Sequence, residues 1–339
     1  MFPNTATLTM ILAAALALPA CHAWSQEKVT FGTNWVAEAE HGGYYQAVAD
    51  GTYKACGLDV TIVPGGPQVN NSALLIAGKL DFLMGGNLLE VLSAAKEGIP
   101  MRVVAADFQK DPQIFMTHPG RVKNFADMKT LPKIFVGDGG YITFYQWMMT
   151  ADGFAAEKRV PYTFNAAPFI ADKDSAQQGY VTSEPFAVKT EGGFEPDIFL
   201  LADNGWTTPA TLIEAMQPTI DKKPDAVKCF VEGSAIGWAN YLYGDPSKAN
   251  AMIKAANPGM NDAQIAYSIQ QLKKFGVVDS GLSIDKGIGA MSAESIQDFY
   301  DKMIKAKVVD AGLDVTKVYT LQYANTGAAL AVKKKLMGK

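Results

Sequence analysis

The segment Lys28–Val63, KVTFGTNWVAEAEHGGYYQAVADGTYKACGLDVTIV, decides the fold. Lys28–Gly32 and Leu58–Val63 are short runs rich in β-branched residues, and His41–Thr52 between them carries helix-forming residues. Gly57 and the cluster Pro64-Gly65-Gly66-Pro67 punctuate the ends. Downstream the rhythm continues. Val69–Gly78 and Leu88–Glu97 read as helices, Asp81–Gly85 and Met101–Ala106 as strands. A β-α-β-α-β order with short turns builds a doubly wound, largely parallel sheet, so the class is α/β.

A second set follows His118-Pro119-Gly120, with strands at Lys133–Val136, Val160–Phe164, Tyr180–Thr182 and Asp197–Leu201. Thr143–Asp152 and Lys173–Gln178 read as helices. Beyond that the chain turns helical, through Ala226–Tyr243, Pro246–Ala256, Asp262–Phe275 and Ala293–Ala306. The organisation expected is a first lobe at 26–118, a second at 119–205, and a return to the first lobe with C-terminal helices at 206–339. Two lobes joined by two crossovers enclose a cleft, and open α/β sheets bind ligands at the carboxyl ends of their strands.

The 339 residues carry a net charge of −4 and no long basic run, which gives nucleic-acid binding no electrostatic footprint. Leu8–Ala20 is almost wholly apolar, too short to span a bilayer, and followed by small residues, as in a secretory signal over 1–25. Cleavage after Ala23 or Ser25 would release a free periplasmic protein. Leu18-Pro19-Ala20-Cys21 is an imperfect lipobox that would instead anchor Cys21 to lipid. Free export is preferred, because Pro19 is unusual in a lipobox. An oxidising compartment would permit Cys56 and Cys229 to pair, but they lie far apart in sequence and two buried free thiols are the preferred reading.

Candidate binding residues gather at strand ends. Thr33-Asn34-Trp35 leads to Glu38, Glu40, His41, Gly42, Gly43 and Tyr44. Trp35 offers a flat face for stacking, Tyr44 a second aromatic, and His41 a polar group at a helix opening that two glycines keep bare. Ordinary packing aromatics and a solvated histidine are the competing reading. Met84-Gly85-Gly86-Asn87 and Gly137-Asp138-Gly139-Gly140-Tyr141 each join a strand to a helix by a glycine turn, which makes Asn87, Gly140 and Tyr141 candidates. Neither is a nucleotide fingerprint. Glu184 follows a strand end and could accept from ligand N–H groups. Asn204 and Trp206 follow the last strand and could supply a second wall, and Gln109 lies in a crossover. No HExxH, GxSxG, CxxC or EF-hand pattern occurs, so no catalytic residue, metal or cofactor is expected.

These residues resemble a known family. Asn34-Trp35 to His41, Gly51-Thr52-Tyr53-Lys54 and Gly57-Leu58-Asp59-Val60 are similar to the opening of thiamine-pyrimidine-precursor proteins. Those belong to the nitrate/sulfonate/taurine group of substrate-binding proteins. Ala77–Phe82, Val136–Gly140, Gly179–Pro185, Lys223–Val231 and Gly244-Asp245-Pro246 continue the likeness over nearly all of the chain after the leader. The resemblance implies a two-lobed type II periplasmic-binding-protein fold that acts as a monomer, closes on a small molecule and docks with an ABC permease. Trp35 would stack on a pyrimidine, with His41 and Glu184 gripping its edge. Fungal members are enzymes that consume their own histidine and pyridoxal phosphate, and His41 falls at that histidine's place. The cysteine-rich CCCFC segment expected near Asp203–Leu212 is absent, which argues against the enzyme. The ligand expected is a planar nitrogen heterocycle. A small anion such as a sulfonate, nitrate or aromatic carboxylate is the alternative, and a pyrimidine-precursor synthase ranks below both.

Overall fold

The computed structural model describes Met1, residues 26–66 and residues 69–338. The expected leader and Cys21 lie outside the described residues. The strands are β1 (Glu27–Gly32), β2 (Leu58–Val63), β3 (Phe82–Asn87), β4 (Met101–Phe108), β5 (Gln113–Thr117), β6 (Lys133–Val136), β7 (Arg159–Pro161), β8 (Ser175–Tyr180), β9 (Asp197–Leu200) and β10 (Ala210–Met216). They form two five-stranded sheets, ordered β2-β1-β3-β10-β4 and β7-β6-β8-β5-β9. In each, four strands run the same way and one is reversed, β10 between β3 and β4 in the first sheet and β5 between β8 and β9 in the second. The molecule is a two-lobed α/β protein, as the sequence implied.

The chain leaves the first sheet over 109–112 and returns over 201–209. The two crossings are tied to each other. Buried Asp111 accepts from Trp206 Nε1 at 2.9 Å and from Gln113 N at 2.9 Å, and Lys110 pairs with Asp203 at 2.7 Å. Because β5 belongs to the second sheet, the outward crossing falls before the expected division at 118. Among the described residues no helix is long and apolar enough to cross a membrane.

Three strands escape the sequence pattern. β5, QIFMT, has three apolar residues in a row between Gln113 and Thr117 and no alternation to mark it. β8 occupies Ser175–Tyr180, where Lys173–Gln178 reads as a helix. Its SAQQGY carries no β-branched residue, and its conformation comes from pairing with β5 on one side and β6 on the other. β10, ATLIEAM, is made largely of helix formers yet sits between β3 and β4, with Glu214 fully buried. Burial drives the Glu214 carboxyl well above its ordinary range, with Glu90 adding to the rise. The helix Glu184–Gly192 was likewise not legible.

The first lobe's core is aromatic. Phe230, on the helix Pro224–Tyr243, lies parallel to Phe82 and Tyr53 at centroid distances of 4.4 and 5.2 Å. That helix packs on the helix Gly42–Ala49 through glycines. A Cβ on Gly237 would stand 2.2 Å from Gly43 O, and one on Gly43 would stand 2.3 Å from the Trp238 ring. Gly42 and Gly43 therefore serve helix packing and do not keep a ligand approach clear.

Cys56 and Cys229 form a disulfide, with Cα atoms 5.9 Å apart across 173 residues of sequence. The expectation of free thiols is corrected. The hairpin-like pack of Thr52–Ala55 on the Pro224–Tyr243 helix brings them together, which no sequence spacing shows.

Two outcomes follow for stability. Breaking the bridge by Cys229→Ser should cost about 2–5 kcal/mol, as for native disulfides closing long loops; urea unfolding of the oxidised and variant proteins measures it. Gly237→Ala should cost about 3 kcal/mol, the upper range for overpacking, because backbone at Gly43 must move. An unchanged midpoint in the same assay would contradict the packing argument.

Candidate functional site

A cavity of about 410 Å³ lies between the lobes. Trp35, Glu38 and Glu40 come from the loop and short 3-10 turn after β1, in the first lobe. Tyr162, Phe164 and Asn165 come from the loop after β7, and Ser183, Glu184 and Glu191 from the start and end of the helix after β8. Gly259, Met260, Gln264 and Ser268, in the C-terminal helical part, close the remaining side. The helix Asp262–Lys274 grips the second lobe: Ser268 Oγ and Gln264 Nε2 donate to Thr182 O at 2.7 and 3.1 Å. Asn257 Nδ2 holds the Trp35 loop through Ala37 O at 2.9 Å.

Trp35 and Phe164 face each other from opposite lobes, with ring centroids 5.7 Å apart and planes tilted by 40°. Phe164 is 65% exposed and has φ of +60°, in the left-handed region that a bulky residue adopts only when its surroundings hold it there. An exposed ring on strained backbone, turned to a second ring, is a stacking platform.

The charged lining is entirely acidic. Glu40 is 2% exposed, and its Oε1 has no hydrogen-bond partner among the described residues. Burial raises its pKa to about 6. Glu38 is pushed well above the ordinary carboxylate value by burial, then by Glu40 and Glu184 beside it. Glu184 is raised by burial, with Ser183 and Tyr180 working against the rise. Its Oε2 accepts from Tyr180 N and Ser183 Oγ, both at 2.7 Å. Gly179 permits this: a Cβ there would stand 2.7 Å from Glu184 Cβ.

Of the ten residues proposed from sequence, the structure brings only Trp35 and Glu184 to this cavity. His41 is fully buried and is not part of the lining, both ring nitrogens lack partners among the described residues, and desolvation lowers its pKa to about 3. Tyr44 belongs to the aromatic core, against Phe31, Phe230 and Trp238. Asn87 caps the helix Leu88–Lys96 through Leu89 N. Gln109 is spent on Ala106 O and Ala290 O. Gly140 lies against Phe144 and Gln178, and Tyr141 lies under the Arg159 guanidinium. Asn204 bonds Leu200 O, and Trp206 is the buried crossover donor described above. Tyr162, Phe164 and Gln264 were missed because loop aromatics and a helix face carry no motif. Glu38 and Glu40 stood in the strand-end group but were not singled out.

A larger cavity, 870 Å³, is walled by first-lobe residues alone and has no aromatic lining. Among the described residues no group of three His, Cys, Asp or Glu is placed to hold a metal ion.

A cleft between two crossover-linked α/β lobes, with rings meeting from both sides, defines a two-lobed binding fold. The family model described as NMT1/THI5 like matches residues 38–249, and the chain belongs to that family. It is 23% identical to the riboflavin-binding protein RibY of Chloroflexus aurantiacus, over 95% of this chain and 93% of that protein. It is 27% identical over 39% of its length to the 4-amino-5-hydroxymethyl-2-methylpyrimidine phosphate synthase of Aspergillus parasiticus, covering 40% of that enzyme. Among solved structures it superposes on the aliphatic sulphonate binding protein SsuA from Escherichia coli with a TM-score of 0.62 at 14% identity, covering 86% of this chain and 92% of that one.

The Glu40 shift sets a pH dependence. As pH rises from 4.5 to about 6 the unfolded chain loses this proton while the folded one keeps it, so stability falls. Glu40→Gln removes that loss. The variant's unfolding free energy should gain about 2 kcal/mol on wild type between pH 4.5 and pH 7, read by urea unfolding at both pH values. A gain of the opposite sign would refute the assignment.

Proposed function

We propose that this chain is the exported solute-binding component of an ABC importer, and that it captures a small planar nitrogen heterocycle by lobe closure. The observation that carries this reading is the cavity lining: two aromatic rings from opposite lobes, four glutamates, and no lysine or arginine. A heterocycle with N–H donors at its edge packs against Trp35 and Phe164, whose rings lie 5.7 Å apart and must part to about 7 Å to take a ring between them, and donates to Glu40 and Glu184. A sulfonate or nitrate would find no cation there and would meet repulsion from the acids. The small-anion reading is therefore disfavoured, although sulfonate-binding proteins share the fold.

The family membership and the riboflavin-binding relative support a transport role. The ligand shifts an open-to-closed equilibrium because only the closed form touches it from both lobes. The closed monomer then docks with the permease, with the protein free in the periplasm or held there through Cys21. The synthase reading would require His41 to reach the substrate. With its imidazole fully buried and outside the lining, this chain is better read as a binder that acts without catalysis or cofactor.

The test is native mass spectrometry of the co-purified small molecule, followed by calorimetry with 4-amino-5-hydroxymethyl-2-methylpyrimidine, riboflavin and an alkanesulfonate. Trp35→Ala should weaken heterocycle binding about tenfold or more, the loss of one aromatic stack at about 1.5 kcal/mol, while the melting temperature stays near wild type. Tight sulfonate binding with no heterocycle binding would sink the proposal.

A further inference from the structure

Closing the cleft brings like charges together. Glu38 and Glu40 on the first lobe and Glu184 on the second line one cavity, and no basic side chain lines it with them. Glu40 is almost wholly buried and its Oε1 has no hydrogen-bond partner among the described residues, Thr182 being the one side chain near enough to offset part of the cost of burying it. Glu38 and Glu184 repel across the gap, an interaction that raises Glu38 further after burial has acted. Carboxylates in a water-poor site need compensation, and either protons or a positive charge in the cavity can supply it. A neutral ring supplies neither. Trp35 and Phe164, which present ring faces to the same space, also attract a cation through their quadrupoles. No metal-holding group stands among the described residues, so the charge belongs on an organic ligand.

We propose that Glu38, Glu40 and Glu184 select positive charge on the ligand, so that the molecule held between Trp35 and Phe164 is a cationic heterocycle and its charge is what lets the lobes close. This rests on the heterocycle reading above and narrows it.

The probes are benzamidinium and benzamide, planar molecules of matched shape that differ by one charge, titrated calorimetrically into the whole chain after the leader at pH 7.5 in low salt. Benzamidinium should bind at least about tenfold more tightly than benzamide, and added salt should shrink the difference. In Glu184→Gln, and separately in Glu38→Gln should the first variant fold poorly, the preference for benzamidinium over benzamide should fall to about threefold or less. Equal binding of the two probes, preference for benzamide, or binding of neither would overturn the charge requirement. The neutral ligands riboflavin and hydroxymethylpyrimidine then separate the two failures: if either still binds, the heterocycle reading survives without the charge requirement, and if neither does, both fall.

Discussion

The bond from Trp206 Nε1 to the buried Asp111 carboxylate governs the architecture, because it joins the two segments by which the chain leaves and re-enters its first sheet. Neither segment has regular structure enough to fix the lobes by itself. Bonded to each other, they form one two-stranded connection between the sheets. Burial raises Asp111 to about 6, with the Trp206 and Gln113 bonds pulling against the rise. Trp206 adds contact as well as a donor, standing edge-on to Phe299 and beside Trp147 from the second lobe. The crossover is thus anchored in the cores of both halves.

From that connection the cleft acquires its chemistry. The carboxyl ends of β1, β7 and β8 point their loops into one space, and the C-terminal helix Asp262–Lys274 shuts its side by gripping Thr182 O. Each lobe contributes at least one ring and at least one carboxylate. A ligand that satisfies only one lobe gains nothing from closure, which is how a two-lobed binder converts recognition into a change of shape. The SsuA likeness shows the shared fold, whereas the acidic, aromatic lining is a property of this chain's own side chains.

The first lobe's rigidity comes from a different source. Reciprocal glycines at 43 and 237 let two helices approach until backbone meets side chain, and the Cys56–Cys229 bridge ties the same helix to the turn beneath β2. Phe230, between Phe82 and Tyr53, fills the space that remains. The same contacts hold the base of the lobe from which the Trp35 loop extends.

The sequence by itself determined the α/β class, the two-lobed plan, most helix positions, and the strands β1, β2, β6 and β9 nearly to the residue. Those features are written in local periodicity and turn residues, which act between near neighbours. It also marked Trp35 and Glu184, because a strand end before a loop is a local signal. The strands β5, β8 and β10, the disulfide, and the burial of His41 and Tyr44 outside the cavity lining were decided only by tertiary structure. SAQQGY becomes a strand through its two neighbours, ATLIEAM through insertion between β3 and β4, and His41 ends fully buried at the start of the helix that packs through Gly43 and Gly237. The physical reason is the same in each case: pairing, packing and desolvation act between residues distant in the chain, and no local pattern records which of them will meet.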